Sequence, residues 1–411
     1  MSTDTQRGVL AGMRVIEASA FVAAPLGGVV LAGLGADVIR IDPIGGAIDQ
    51  SRWPVTANGF SFYWAGLNQG KRSVVIDTST DEGRDLALSI ASAPGKEGGL
   101  ALTNHPAGSW FCYKNLRESR ADMIVCSIEG HADGRPAVDY SINAATGLPM
   151  VTGPDGLSGP VNSVLPAWDV VTGNLAVIGL LAAERARYQS SRGALVSVAL
   201  EDVAYAVVAH LGFVGDSVIN GESRPRIGND LYGAFGRDFE TADGKRLMVV
   251  AITAHQLHRL FEAVDLDKKL RILESTRDTP IAGHGDLFEL RGELGALLST
   301  RIGQLDFEEL QERFDAHRVI WGPYQDFAEL ATGTGRWSIN RNDRFAVIDH
   351  PGVGAFPIPR SPLRFSGRTE RDPQRAPNPG EHTAEVLEDV LGLSSCEIGG
   401  LHDRKVVASW S

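Results

Sequence analysis

Residues 13–42 read MRVIEASAFVAAPLGGVVLAGLGADVIRID, and the order of residue types along them decides the fold. The apolar run at 13–17 has the length of a short buried strand. Pro25 falls where the first turn of a helix accepts proline, ahead of the apolar run 26–34, and Gly35 follows as a stop. β-Branched residues return at 37–41, which completes a strand–helix–strand unit, the building block of a parallel sheet. The uncharged stretch 18–36 approaches the length of a bilayer span. Pro25 and four glycines interrupt it, and Glu17 and Asp37 close it, so strand, turn and helix are the better reading.

Working outward, similar strands are expected at 73–77, 100–103 and 123–128, with a helix at 81–92 whose Asp81 and Glu82 suit its positive end. Residues 130–165, rich in Gly, Pro and Asp, read as loops with one short helix. A buried helix at 167–188, a strand at 194–199 and a second apolar helix at 201–214 complete a layer. These place an N-terminal part of an α/β domain at 1–216. The turn-rich passage 217–240 reads as a linker. A smaller α+β domain follows at 241–330, with a hairpin at Asp243-Gly244, a helix at 254–264 and more helices to about 316. The tail 331–411, with Pro-rich strands from Phe345 and a helix at 383–391, reads as a return linker and the remainder of the first domain.

The chain of 411 residues is long enough for two domains, and 43% hydrophobic residues supply their cores. A formal charge of −12 argues against nucleic acid or an anionic membrane as the main partner, though local basic clusters can still hold small anions. Three scattered cysteines, Cys112, Cys126 and Cys396, indicate neither a disulfide framework nor a thiolate metal site, and a cytoplasmic protein is expected. Gly, 47 residues, exceeds its usual share of about 7%. That excess implies many tight turns or close approaches of backbone to a ligand.

No G-x-G-x-x-G lies between the first strand and helix, which counts against a nicotinamide enzyme, and no G-x-S-x-G supports a serine hydrolase. Arg40 ends the second strand, where a guanidinium can hold a phosphate or make a surface ion pair. Asp169 lies in the first turn of the most apolar helix. By position it reads first as an ordinary cap, with an ionised nucleophile stripped of water as the alternative. His255, His258 and Glu262 share a helix face but lack a fourth ligand, so no metal site is expected.

Several motifs together resemble the family III CoA-transferases. The opening GADVIRIDP strand, NQGKRSVVID (68–77), LTNHPAG (102–108), VDYSINAATGLPMVTG (138–153), RPRIGNDLYGAFGRDFETADGK (224–245) and NPGEHTAEVLEDVLGLS (378–394) all follow that pattern, over essentially the whole chain. The resemblance implies a Rossmann-like large domain built from both chain ends, a smaller domain, and a homodimer of interlocked subunits. It implies Asp169 as nucleophile, Arg40, Lys71 and Arg72 near the CoA nucleotide, and Asn104 beside the pantetheine. His105 stands where the family has Phe.

Narrower matches, AFVAAPLGG, IDPIGG, SRWPVT, YWAGLNQGKRS, LPAWDVVTG and LYGAFGRDFET, resemble the members that move CoA between the two carboxyls of one C5 unsaturated dicarboxylate. That chemistry belongs to carbon fixation of the 3-hydroxypropionate type. The implied partner is an acyl-CoA thioester, with no metal, NAD or flavin. Arg52, followed by Arg226, Tyr232 and Arg237, is the candidate for the free carboxylate, each alternatively an ion-pair or interface residue. Intermolecular transfer, a racemase and a non-catalytic acyl-CoA-binding protein are the competing readings. The racemase lacks a partner base, because Val138 stands where a His is needed.

Overall fold

The computed structural model describes residues 8–221, 223–277, 281, 283–367 and 372–410. The opening stretch folds as its pattern dictates, into β1 (Arg14–Ala18), α1 (Ala23–Gly33) and β2 (Asp37–Pro43). β1 and β2 pair in parallel, with Val15 beside Val38 and Ile16 beside Ile39. The alternation continues through α2 (Phe62–Leu67), β3 (Arg72–Ile76), α3 (Asp81–Ser92), β4 (Leu100–Thr103), α4 (Tyr113–Ser119) and β5 (Ile124–Glu129). Then come α5 (Asp139–Ala145), α6 (Leu148–Val151), α7 (Ala167–Ser190), β6 (Ala194–Ala199), α8 (Leu200–His210) and α9 (Phe213–Asn220).

The following stretch holds β7 (Phe235–Glu240), β8 (Arg246–Ala251), α10 (Ala254–Ala263), α11 (Asp267–Ser275), α12 (His284–Glu289), α13 (Arg291–Ile302) and α14 (Phe307–Ala316). After β9 (Ile320–Pro323) and α15 (Phe327–Thr332) come β10 (Phe345–His350), β11 (Gly354–Pro359), α16 (Thr383–Leu391), α17 (Ser395–Asp403) and β12 (Val407–Ala408).

The chain divides into two compact units. The first takes residues up to 146, 163–216 and 342 onward. Its sheet runs β12-β3-β2-β1-β4-β5-β6, parallel except for β12. The six parallel strands therefore follow the dinucleotide-fold order 3-2-1-4-5-6, which reverses direction between β1 and β4. One face buries Ile16, Ile39, Val74 and Val125 against Ile90, Leu116, Val386 and Leu401 of the helices. On α1 and α7, glycine permits an unusually close crossing. A Cβ on Gly173 would lie 2.5 Å from the Ala23 carbonyl oxygen, and one on Gly27 would lie 3.2 Å from that of Gly173.

The second unit, 147–162 and 217–341, is an antiparallel sheet β7-β8-β9 covered by helices. Phe235, Leu247, Leu260, Phe261, Leu294 and Phe314 are fully buried in its core.

Several expectations need correction. Residues 147–162 group with the second unit and not with the 1–216 domain, because α6 and the loop after it are bound to the segment around Arg226. The 217–240 linker contains strand β7, paired along its length with β8. The first unit resumes at 342, not 331. The segment 130–165 holds two short helices, and the helix expected at 201–214 breaks at Gly212, which has φ of 83°. The long helix α7 is buried on one face only and leaves Val171, Leu175 and Ile178 exposed in the single chain. It is long and apolar enough to cross a membrane by composition, yet it packs against α1, β5 and β6. Gly27 and Gly28 serve packing inside the unit, against Gly173 and against Glu17 and Lys71.

Candidate active site

An open parallel sheet offers its crevice beyond the C-terminal strand ends, at the point where strand order reverses. Here that point lies between β1 and β4, and the loops after both strands, together with the loop after β5, wall a cavity of about 790 Å³. Phe21 comes from the first loop, Asn104 and His105 from the second, and Gly130 with residues 132–138 from the third. Asp139, Asp169 and Arg52 also line it.

Asp169 sits in the first turn of α7. The turn has no local side-chain cap; the Asp139 carboxylate does that work instead, accepting from the backbone N–H of Trp168 at 2.6 Å and of Asp169 at 3.0 Å. Four residues after Asp139 on α5, Asn143 Oδ1 accepts from the Trp168 indole N–H at 3.0 Å. The short helix α5 thus docks the start of α7 at two points. Among the described residues, no hydrogen bond or ion pair engages the Asp169 carboxylate. Burial, reinforced by the Asp139 carboxylate and opposed by Arg52, pushes Asp169 up to about 6. At neutral pH it is ionised, poorly hydrated and unpaired, which is the condition of a nucleophile.

Arg52 brings the countercharge. Its guanidinium lies 4.2 Å from the centroid of the Tyr63 ring and 5.9 Å from that of Phe21. Its Nη1 is buried without a hydrogen-bond partner among the described residues. A cavity lined by an unpaired carboxylate and by a guanidinium with no ion pair among the described residues suits a substrate with one reacting carbonyl and one free carboxylate.

The residues expected near the CoA nucleotide are each engaged within the chain. Arg40 is fully buried, donating to Asp42 at 3.0 Å, to Asp49 at 3.1 Å and to Glu17 at 3.3 Å. Lys71 is buried on Glu17 at 2.8 Å, and burial pushes its ammonium down to about 8. Arg72 faces outward into ion pairs with Asp37, Glu385 and Asp389. In this arrangement all three are held by the protein's own carboxylates. Asn104 lines the cavity, but both ends of its amide bind the backbone of Ala20. The His105 and Trp110 rings meet in a T-shaped arrangement with centroids 6.2 Å apart, and burial lowers the His105 pKa.

The remaining carboxylate candidates belong to the second unit, where each is engaged. Arg226 donates to the carbonyls of Pro149, Met150, Leu157 and Gly159. Arg237 pairs with Asp230 at 2.8 Å, and Tyr232 packs on Phe288 at 5.0 Å. His258 pairs with Glu274 at 3.1 Å. Among the described residues, no group of three His, Cys, Asp or Glu is placed to hold a metal ion.

The sequence reading missed Phe21, Asp49, Asp139 and Arg135 as parts of this region. Arg135 lies at the cavity's wall and is paired with Asp133 at 2.7 Å. The signal for it was the Gly-Arg-Pro turn closely following a predicted strand.

A profile described as CoA-transferase family III matches residues 10–383. The 2-methylfumaryl-CoA isomerase of Chloroflexus aurantiacus is 47% identical over 403 residues, covering 98% of each chain. A succinyl-CoA:mesaconate CoA-transferase of Haloarcula hispanica is 29% identical over 404 residues, 93% of this chain and 96% of its own. Among solved structures, a CAIB/BAIF family protein from Brucella suis matches with a TM-score of 0.76 at 24% identity, over 94% of this chain and 100% of the other. That structural likeness carries the fold alone.

Proposed function

The chain belongs to CoA-transferase family III, a family of enzymes, and from that premise we propose that it moves CoA between the C1 and C4 carboxyls of one mesaconate (2-methylfumarate) skeleton. The observation that carries the reading is the Asp169 carboxylate, unengaged in the cavity because Asp139 caps its helix. The 2-methylfumaryl-CoA isomerase likeness over nearly the full length supports this choice of substrate.

Ionised Asp169 attacks the C1 thioester carbonyl; the C–S bond breaks, leaving a mixed anhydride and CoA thiolate. The thiolate attacks the aspartyl carbonyl, so Asp169 carries CoA as a thioester and mesaconate leaves as a carboxylate. The retained mesaconate then presents C4, whose carboxylate attacks the aspartyl thioester and frees the thiolate again. Attack of that thiolate on the C4 carbonyl of the second anhydride restores Asp169 and yields the C4 thioester. Every step is an acyl transfer between carboxylate and thiolate, so the reaction calls for no redox group or metal. The site must exclude water from both activated acyl intermediates, and Arg52 holds whichever carboxylate is not reacting.

The same reading includes a homodimer, interlocked as the family resemblance implies. Exposed Val171, Leu175 and Ile178 on α7 supply an apolar face for it, and light scattering of the purified protein measures the state.

Intermolecular transfer is the second reading, favoured by the likeness to the Haloarcula transferase. Turnover of mesaconyl-C1-CoA in the presence of labelled free mesaconate separates the two. An unlabelled product supports the intramolecular route, and label entering at the turnover rate supports the intermolecular one. Hydroxylamine trapping should leave a hydroxamate on Asp169; an Asp169→Ala variant with undiminished turnover would sink the nucleophile assignment.

A further inference from the structure

Phe21 is an aromatic residue in left-handed backbone, with φ of 70°. A bulky side chain rarely adopts that conformation, and it persists only where the surroundings enforce it. Here they do. Asn104 grips Ala20 twice, its Oδ1 accepting from the Ala20 N–H at 3.0 Å and its Nδ2 donating to the Ala20 carbonyl at 2.7 Å. The Asp49 carboxylate accepts from the Phe21 N–H at 2.9 Å. Arg40 donates to the Ser19 carbonyl at 3.0 Å and holds Asp49 at 3.1 Å.

What this brace achieves is the placement of one ring. Phe21 is 45% exposed, so ordinary core packing does not account for it. Its ring lies by the Arg52 guanidinium, with Tyr63 supplying the second aromatic contact. Other arginines here, Arg40, Arg72 and Arg237, are held by carboxylates. Among the described residues, Arg52 has no ion pair. Aromatic faces attract a cation through their quadrupole without cancelling its charge.

We propose that Phe21 and Tyr63 are positioning residues that clamp Arg52 while leaving its charge available, and that this clamp selects CoA thioesters bearing a second, free carboxylate over those without one. The proposal deepens the proposed function and rests on Arg52 binding that carboxylate. Asn104, Asp49 and Arg40 act one step further back, by holding Phe21 in its strained conformation.

The test compares binding of mesaconyl-C1-CoA with 2-methylbut-2-enoyl-CoA, which has a methyl group in place of the free carboxylate. Calorimetry in an Asp169→Asn background prevents turnover. The parent should prefer mesaconyl-CoA by about tenfold or more. Phe21→Gly, which removes the ring and relieves the backbone, should melt no lower than the parent. It should lose about fivefold in mesaconyl-CoA affinity, with the monocarboxyl thioester changed by less than about twofold. Tyr63→Leu should lose selectivity likewise, and Tyr63→Phe should keep it. A parent that binds both thioesters equally overturns the carboxylate role of Arg52, and the clamp with it. A preference that survives in both Phe21→Gly and Tyr63→Leu, or a loss shared equally by the two thioesters, overturns the clamp alone.

Discussion

The Asp139 carboxylate caps the helix that carries Asp169, reaching the Asp169 N–H itself at 3.0 Å across thirty positions of sequence. The two acidic residues thereby divide two tasks that a lone aspartate in a first helical turn cannot perform together. Asp139 satisfies the helix amides, and Asp169 keeps its oxygens for the cavity.

Asp139→Ala should lower the melting temperature, by an amount corresponding to about 1 kcal/mol, the ordinary worth of a helix cap. Asp139→Asn keeps an acceptor for the two amides and should recover much of that loss. Removing the negative neighbour should also lower the Asp169 pKa, so the acid limb of the rate profile in Asp139→Asn should move to lower pH. Thermal melts and a pH–rate profile check both.

Turnover should depend on a single group with a pKa of about 6, falling as pH drops through that value because protonated Asp169 cannot attack the thioester. A kcat/KM profile between pH 4.5 and 8.5 measures it, the bounds being about where the limb and plateau lie. A rate flat down to pH 5 would argue against ionised Asp169 as the attacking group.

The same shift predicts a stability effect of definite sign. Asp169 has a pKa raised above that of the unfolded chain, so its ionisation destabilises the fold increasingly as pH rises from 3.8 through about 6. Asp169→Asn should therefore be inactive and, at pH 7.5, more stable than the parent by on the order of 2 kcal/mol. That gain should vanish near pH 4, where the parent carboxyl is itself neutral. Denaturant titrations at the two pH values decide it.

Arg52→Gln should weaken mesaconyl-CoA use by about one to two orders of magnitude in kcat/KM, the scale of a charged hydrogen bond left unmade. It should also raise the Asp169 pKa, since Arg52 is the cation that opposes its upward shift. Steady-state kinetics across pH would show both changes in one variant; a fall in kcat/KM with no move of the acid limb would separate Arg52 from Asp169.

Arg40→Met should cost about 3–5 kcal/mol, because Glu17, Asp42 and Asp49 would be left buried without their shared cation. Arg40→Lys keeps a charge but not the fork, and should lose an intermediate amount. If the residue is structural, Arg40→Lys should leave the preference for CoA over 3′-dephospho-CoA thioesters unchanged. A collapse of that preference would return Arg40 to the nucleotide.

The first unit was readable from the residues to a considerable depth. Strands at 100–103 and 194–199 and helices at 81–92 and 383–391 fall at the positions their patterning predicts. Each is marked locally, by an apolar run or by a cap such as Thr80, whose hydroxyl accepts from Gly83. Less readable was the second unit's claim on 147–162, because that grouping depends on Arg226 reaching carbonyls from Pro149 to Gly159.

The site divides in the same way. Asp169 stood out at the head of an apolar helix, where position favours a cap, and its reading as a nucleophile came with the family motifs; Arg52 stood out by residue type alone. Sequence by itself thus determined the βαβ beginning, the parallel sheet and the candidate nucleophile. It left the roles of the charges undecided. Whether Asp169 caps its helix or faces a cavity depends on Asp139, which only the docking of α5 onto α7 places there. Whether Arg40 meets solvent depends on Glu17, Asp42 and Asp49 converging around it from β1, β2 and the turn beyond. Tertiary structure decided both, because an ionisable group's role is set by the charges, donors and water within a few ångströms of it, and those neighbours are remote in sequence.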